Sequence, residues 1–209
     1  MLEKASSISN KMLISVDHEK LGGFSERQVR FYLKYSSFVF KALQKPAFQK
    51  FLQWMLKNER IEEQTVRAVH VKVLPMRRKN GKGIAGNCDA ARGRIRIYPK
   101  TTKFCQLFKQ KFGRNTLLFY AVNRARAALI HELLHLKYVK DERKVRELAK
   151  GYFCIFTKKQ SCQNPRELSI YKIIFATKSM EETPSTDSYK PGIQIKLNGT
   201  CLRASGVFR

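Results

Sequence analysis

Five consecutive residues, His131-Glu132-Leu133-Leu134-His135, form an HExxH pattern. Positions four apart on an α-helix project from one face, so the two imidazoles can grip a single ion, and neutral imidazoles select zinc over magnesium or calcium. Glu132 lies one residue off that face. From there its carboxylate can take a proton from a water held by the metal and pass it to a leaving amine, the general-base role in peptide-bond hydrolysis. Apolar residues before and within the motif bury the helix, and a buried histidine pair wants a partner. The pattern is short, however, and two histidines and a glutamate can also fall on a helix merely to pack or to face solvent.

A catalytic zinc commonly takes three protein ligands. No histidine follows His135, so the third must be Asp, Glu or Cys. On a straight continuation of the helix, Glu142 would lie about 10 Å from His135 along the axis at ~1.5 Å per residue, too far to share an ion. The chain must therefore turn near residues 137–140. Glu142, in the first turn of a second helix folded back beside the first, is the preferred ligand, with Asp141 next and Glu147 third. Acidic residues at a helix start also complement the dipole, and Asp141 equally suits the cap.

The elements that must hold these groups can be read from periodicity. A long helical pattern from Asn115, NTLLFYAVNRARAALIHELLHLKY, carries the motif, with Leu118, Val122, Ala125, Leu129 and Leu133 on one stripe. DERKVRELAKGYFCIF follows as a helix with Val145, Leu148 and Tyr152 on one side. Upstream, TTKFCQLFKQKFG is a short helix stopped at Gly113. Residues 65–76 (TVRAVHVKVLPM) alternate and are β-branched, which predicts a strand. So do residues 92–98 (RGRIRIY), with Ile95 and Ile97 facing in and Arg94 and Arg96 facing out. The two strands are expected to pair around the Gly- and Lys-rich loop RRKNGKGIAGN. At the front, Ser25 can cap a helix that is followed by a second one opening at Pro46, whose Phe48, Phe51, Leu52 and Met55 share a face.

HELLHLKYVKDERKVRELAKGYF resembles the active-site helix and glutamate helix of minimal gluzincin-type metallopeptidases, in which HExxH precedes a helix bearing a Glu with small or apolar residues three and six positions on; here these are Glu142, Val145 and Leu148. The order strand, loop GNCD, strand RGRIRIY, helix, HELLH is also similar to SprT-like and ImmA/IrrE-like layouts. SprT-like proteins use a third histidine, absent here, and metzincins place glycine three residues after the second His, where this chain has Tyr138. The resemblance implies an α+β, zincin-like core: a small sheet packed on the HExxH helix and a following ligand helix. It implies a zinc peptidase acting on a protein or peptide substrate. It also makes RGRIRIY the edge strand beside the cleft, so that Arg94 and Arg96 touch substrate, a solvated strand face being the alternative.

The resulting organisation is a lead-in and helical pair over residues 1–60, a catalytic core over 64–157, and an irregular extension over 158–209. Within that extension, residues 179–192 are rich in Ser, Thr, Pro and charge, and GIQIKLNGTCLR suits an edge strand. Residues 1–20 read as a loose lead-in. They hold scattered charges and no apolar run, so no secretory signal is expected, and no stretch is apolar enough to span a membrane. Cys88, Cys105, Cys154, Cys162 and Cys201 are odd in number and form no CxxC, which suits a reducing, cytoplasmic setting. Oligomeric state leaves no mark on the sequence.

The net charge of +26 far exceeds what solubility asks, about 2 to 8 on a small domain. Between Gln64 and Ile130 the one acidic residue is Asp89, against cations that include Arg77, Arg78, Lys79, Arg94, Arg96, Arg124 and Arg126. Such a field attracts DNA or RNA without sequence preference. Two function classes result: a zinc peptidase, with substrates that include proteins on nucleic acid, or a non-specific nucleic-acid-binding protein whose metal site is structural or vestigial. General adaptation of a basic proteome would produce the same charge.

Overall fold

A computed structural model of the chain describes residues 12–17, 23–76, 83–158, 170, 173 and 174. The expected irregular stretch at 179–192, the strand after it, and Arg77, Arg78 and Lys79 lie outside the described residues.

The described part is α+β, with five helices and a four-stranded mixed sheet: β1 (Ile14–Asp17), α1 (Glu26–Leu43), α2 (Pro46–Asn58), β2 (Ala68–Lys72), β3 (Gly86–Asp89), β4 (Arg94–Ile97), α3 (Thr102–Phe112), α4 (Arg114–Leu134) and α5 (Glu142–Lys158). Local chemistry accounts for the helix starts. Ser25 forms a capping box on α1, its hydroxyl accepting from the Gln28 amide at 3.4 Å while its own amide donates to the Gln28 side chain at 3.0 Å. Pro46 stands in the first turn of α2, and the Thr101 hydroxyl accepts from the Phe104 amide to start α3.

The strand order is β1-β2-β4-β3, with β1, β2 and β4 parallel and β3 antiparallel to β4. Three expectations change. Residues 14–17 are a strand rather than a loose lead-in, because Ile14 is buried and the segment pairs along β2 from Ile14↔Val69 to Asp17↔Lys72. The strands of the 65–76 and 92–98 segments do pair, but in parallel, a geometry that needs a crossover rather than a simple hairpin. GNCD is a strand rather than a loop, because it pairs antiparallel with β4; as β3 it supplies that crossover, hairpinned to β4 through Gly93, whose positive φ of 59° and contact with the Thr65 carbonyl leave no room for a Cβ. Consequently β4 lies inside the sheet, and RGRIRIY is not an edge strand.

One face of the sheet carries Val69, Val71, Ile95 and Ile97 into a core shared with Val39, Leu43, Phe48, Leu52, Met55, Leu129, Leu133, Val145 and Phe153. Strand alternation sends Ala68, His70, Arg94 and Arg96 to the opposite face. Leu129, Ile130, Leu133 and Leu134 are all completely buried. Each contributes about 1.5–3 kcal/mol by leaving water, and Leu133→Ala would cost about 2–5 kcal/mol through the cavity it leaves inside the motif itself. A smaller cluster of Phe104, Cys105, Phe108, Leu117, Tyr120 and Ile170 joins α3 to the first half of α4.

Candidate metal centre

The site begins with α4, buried on nearly every side between Ala121 and Leu134, as expected of a central rather than a surface helix. Two arginines that the sequence counts toward a basic surface are spent inside. Arg124 donates to the carbonyls of Tyr98 at 2.7 Å and Ile84 at 3.2 Å, pinning α4 to the end of β4 and to the approach to β3. The Arg126 guanidinium lies against the edge-to-face pair of Phe48 and Phe156, 5.4 and 5.1 Å from their centroids. Both are only 7% exposed, so neither guanidinium is presented at the surface for direct contact with a partner.

At the C-terminal end of α4 the Nε2 atoms of His131 and His135 stand 3.1 Å apart. The chain then turns where the spacing argument requires: the amides of Lys137 and Tyr138 donate to the Leu134 carbonyl, and the Asp141 amide to that of Tyr138. The first residue of α5, Glu142, returns to the histidines, with Oε2 3.1 Å from His135 Nε2 and Oε1 3.6 Å from His131 Nε2. His131, His135 and Glu142 are thus brought together as a group able to hold a metal. The other two candidates are not. Asp141 caps α5, accepting from the Lys144 amide at 3.0 Å, and Glu147 pairs with Arg143 on the exposed side of the helix.

The donor set can be tested against an ion. Zinc bonds of about 2.0–2.1 Å in a tetrahedral arrangement put neighbouring ligand atoms about 3.3 Å apart; the His131–His135 and His135–Glu142 contacts, both 3.1 Å, are close to this, and one ligand atom from each of the three residues lies within 4.8 Å of the other two. Burial holds His131 below its ordinary 6.5, with His135 and Arg146 adding to the effect and Glu142 opposing it, so the ring is neutral near pH 7, the form that binds metal. Burial pushes Glu142 up, but the hydrogen bond from Arg146 Nε at 2.8 Å and the two histidines outweigh it, leaving the carboxyl below 4.5 and ionised. Sequence reasoning missed Arg146; its signal was the i,i+4 spacing from Glu142.

Glu132 is buried at 7% exposure, on the side of α4 that meets β3. A Cβ on Gly86 would stand 2.7 Å from Glu132 Cγ and 2.8 Å from its Oε1, so the glycine is what lets the strand and the carboxylate lie together. Cys88, two residues along the same strand, is pushed up to about 12 by burial, then by Glu132 and Asp89, and is a packed thiol rather than a ligand or nucleophile.

The turn that returns Glu142 is held by a residue distant in sequence. Glu59, at the end of α2, accepts hydrogen bonds from Tyr138 Oη at 2.8 Å and from Tyr152 Oη, while Lys137 Nζ donates to its carbonyl at 2.6 Å. Burial pushes the Glu59 carboxyl up, yet Tyr152, Tyr138 and Lys137 together hold it below 4.5. Nothing local in the sequence marks this residue, because its partners lie 79 and 93 positions away.

Arg94 and Arg96 lie on the face of the sheet turned away from α4, so they do not line this centre. No helix among the described residues is long and apolar enough to cross a membrane. No family model matches the chain, and neither a curated protein nor a solved structure matches it.

Proposed function

We propose that the protein is a zinc metallopeptidase with a zincin-like core of the gluzincin type, in which His131, His135 and Glu142 hold the metal and Glu132 is the general base. The observation that carries the reading is the convergence of three donor groups from two helices joined by a reversal, with His131 and His135 Nε2 3.1 Å apart and the two Glu142 oxygens 3.1 Å from His135 and 3.6 Å from His131. Bound there, zinc would polarise a peptide carbonyl and lower the pKa of water toward 7. His131 and His135 present Nε2 from adjacent turns, and Arg146 orients the Glu142 carboxylate so that it need not reorganise. Glu132, next to His131 and shielded from bulk solvent, is sited to accept a proton from the attacking water and return it to the leaving amine.

Substrate class follows from β3. It is the outermost of the described strands on its side, and its Gly86 lies against Glu132. An extended peptide added to that edge would run past the general base, with backbone hydrogen bonds supplying affinity without a demand on side-chain identity. A purely structural metal site is the weaker reading, since such sites close with four Cys or His ligands, whereas the group here has three members among the described residues and Glu142 is half exposed.

The test is metal content and turnover together. Wild type should purify with one zinc per chain and cleave unstructured protein. Glu132→Gln should keep the zinc and lose at least about 100-fold in kcat, the usual contribution of a positioned base. Zinc retained by a His131→Ala, His135→Ala double variant, or full turnover by Glu132→Gln, would remove the reading.

A further inference from the structure

The face of the sheet opposite α4 forms a depression of about 710 Å³ lined by Asp17, Arg67, Ala68, His70, Lys72, Arg92, Arg94 and Arg96. Its charge is one-sided. Asp17 is occupied by Lys72 Nζ at 2.8 Å, and Asp89, from the neighbouring strand, caps the turn at Arg92, accepting from its amide at 3.2 Å with the guanidinium 3.7 Å away. Arg67, Arg94 and Arg96 have no carboxylate within ion-pair distance among the described residues. Like charges set side by side on one face repel, and the fold gains nothing from them unless something else neutralises them.

We propose that this face is a groove for the sugar-phosphate backbone of duplex nucleic acid, separate from the metal centre on the other side of the sheet. Three observations favour phosphate over an acidic protein. The cations that make no direct ion pair are all arginines, of which Arg96 acts on Asp17 only at longer range, and their planar fork matches phosphate oxygens in bidentate fashion. Arg94 and Arg96 are two apart on β4, so they repeat about every 6.6 Å along the strand; the register puts His70 and Asn87 beside Arg96, and Ala68 and the Asp89 that caps Arg92 beside Arg94. The lining also lacks the aromatic and large apolar anchors on which protein interfaces depend, Ala68 being its one apolar side chain. The same lack of aromatics removes the platforms on which single-stranded bases stack, which leaves duplex backbone, read without sequence preference, as the fitting ligand.

This inference does not depend on the peptidase reading, and its test separates the two. Fluorescence anisotropy of the full chain with a labelled random-sequence duplex should give a linear fall of log affinity with log salt. The triple variant Arg67→Gln, Arg94→Gln, Arg96→Gln should lower affinity more than about tenfold in 0.1 M salt and reduce the slope by about 2 to 3, at about 0.9 per phosphate contact. A charge-matched control, Lys34→Gln, Lys41→Gln, Lys50→Gln on the exposed sides of α1 and α2, should change both far less. Chelation of metal should leave duplex binding unaltered. If the triple variant is not folded by circular dichroism, Arg94→Gln alone, at an exposed position, should reduce the slope by about 0.9. Equal losses in the groove and control variants would overturn the proposal by making the net charge sufficient. It would also fall if a poly-glutamate peptide or a single strand, rather than duplex, were the ligand whose binding the groove variant abolishes, or if chelation released the duplex.

Discussion

Replacing Gly86 by alanine would test the proposed general base without touching a proposed metal ligand. The added Cβ would stand 2.7 Å from Glu132 Cγ and 2.8 Å from Oε1, where carbon atoms settle at about 3.5–4.0 Å, so the side chain must retreat by about 1 Å. It cannot do so by swinging its tip alone, because the clash involves the middle of a buried side chain between His131 and the fully buried Leu133. A misplacement of about 1 Å at a reacting group costs on the order of 100-fold in rate, or about 2.7 kcal/mol of barrier. Overpacking would cost a further 1–3 kcal/mol or so of stability, within what a domain of this size tolerates. The assay is single-turnover cleavage of an unstructured protein, with zinc content and a thermal melt on the same preparation. The expected result is a folded, zinc-loaded variant whose kcat is down about 100-fold. A folded variant with unchanged kcat would refute the assignment of Glu132 as base, and one that had also lost its zinc would show the damage to have travelled through α4 instead.

Glu142→Ala should weaken zinc binding by more than about 100-fold, since loss of a merely supporting contact already costs about 10- to 100-fold; competition with a chromophoric chelator measures it. Asp141→Ala should cost about 1 kcal/mol of cap stability and Glu147→Ala almost nothing, each with near-normal zinc affinity; release of the metal by either would reassign the third ligand. Glu59→Gln should destabilise the fold at neutral pH. Because folding holds the Glu59 carboxyl below its ordinary 4.5, its contribution is complete above that value and lost as pH falls through the folded pKa. The gap in melting temperature between wild type and variant should therefore narrow as pH falls below about 4.5, and a constant gap would exclude the ionised carboxylate as its source. Arg124→Met should cost about 1–3 kcal/mol in chemical denaturation, by leaving the Tyr98 and Ile84 carbonyls without their donor, and an unaltered midpoint would show that α4 is not pinned there.

Much of the helical layer was legible because its rules are local. Ser25, Pro46 and Gly113 mark helix ends through side-chain or backbone chemistry within four residues, and the spacing of His131 and His135 is itself a statement about one turn of helix. The reversal after Tyr138 was forced by arithmetic, since a straight helix cannot bring Glu142 back. Sheet architecture was not legible in this way. Alternation tells which face of a strand is apolar, but not whether its neighbour runs parallel, and four residues at 14–17 carry too little pattern to announce a strand that exists only because β2 accepts it. Parallel pairing in turn made β4 internal and moved the edge position beside Glu132 to GNCD. Nor does a count of charges tell where they point. Arg124 and Arg126 are buried against carbonyls and aromatic rings, while Arg67, Arg94 and Arg96 converge on an open face because strand register, and not sequence distance, decides which side chains are neighbours. Glu59 is the extreme case. Its role depends on tyrosines 79 and 93 residues away, and only packing of α2 against the turn and α5 could bring them to one carboxylate.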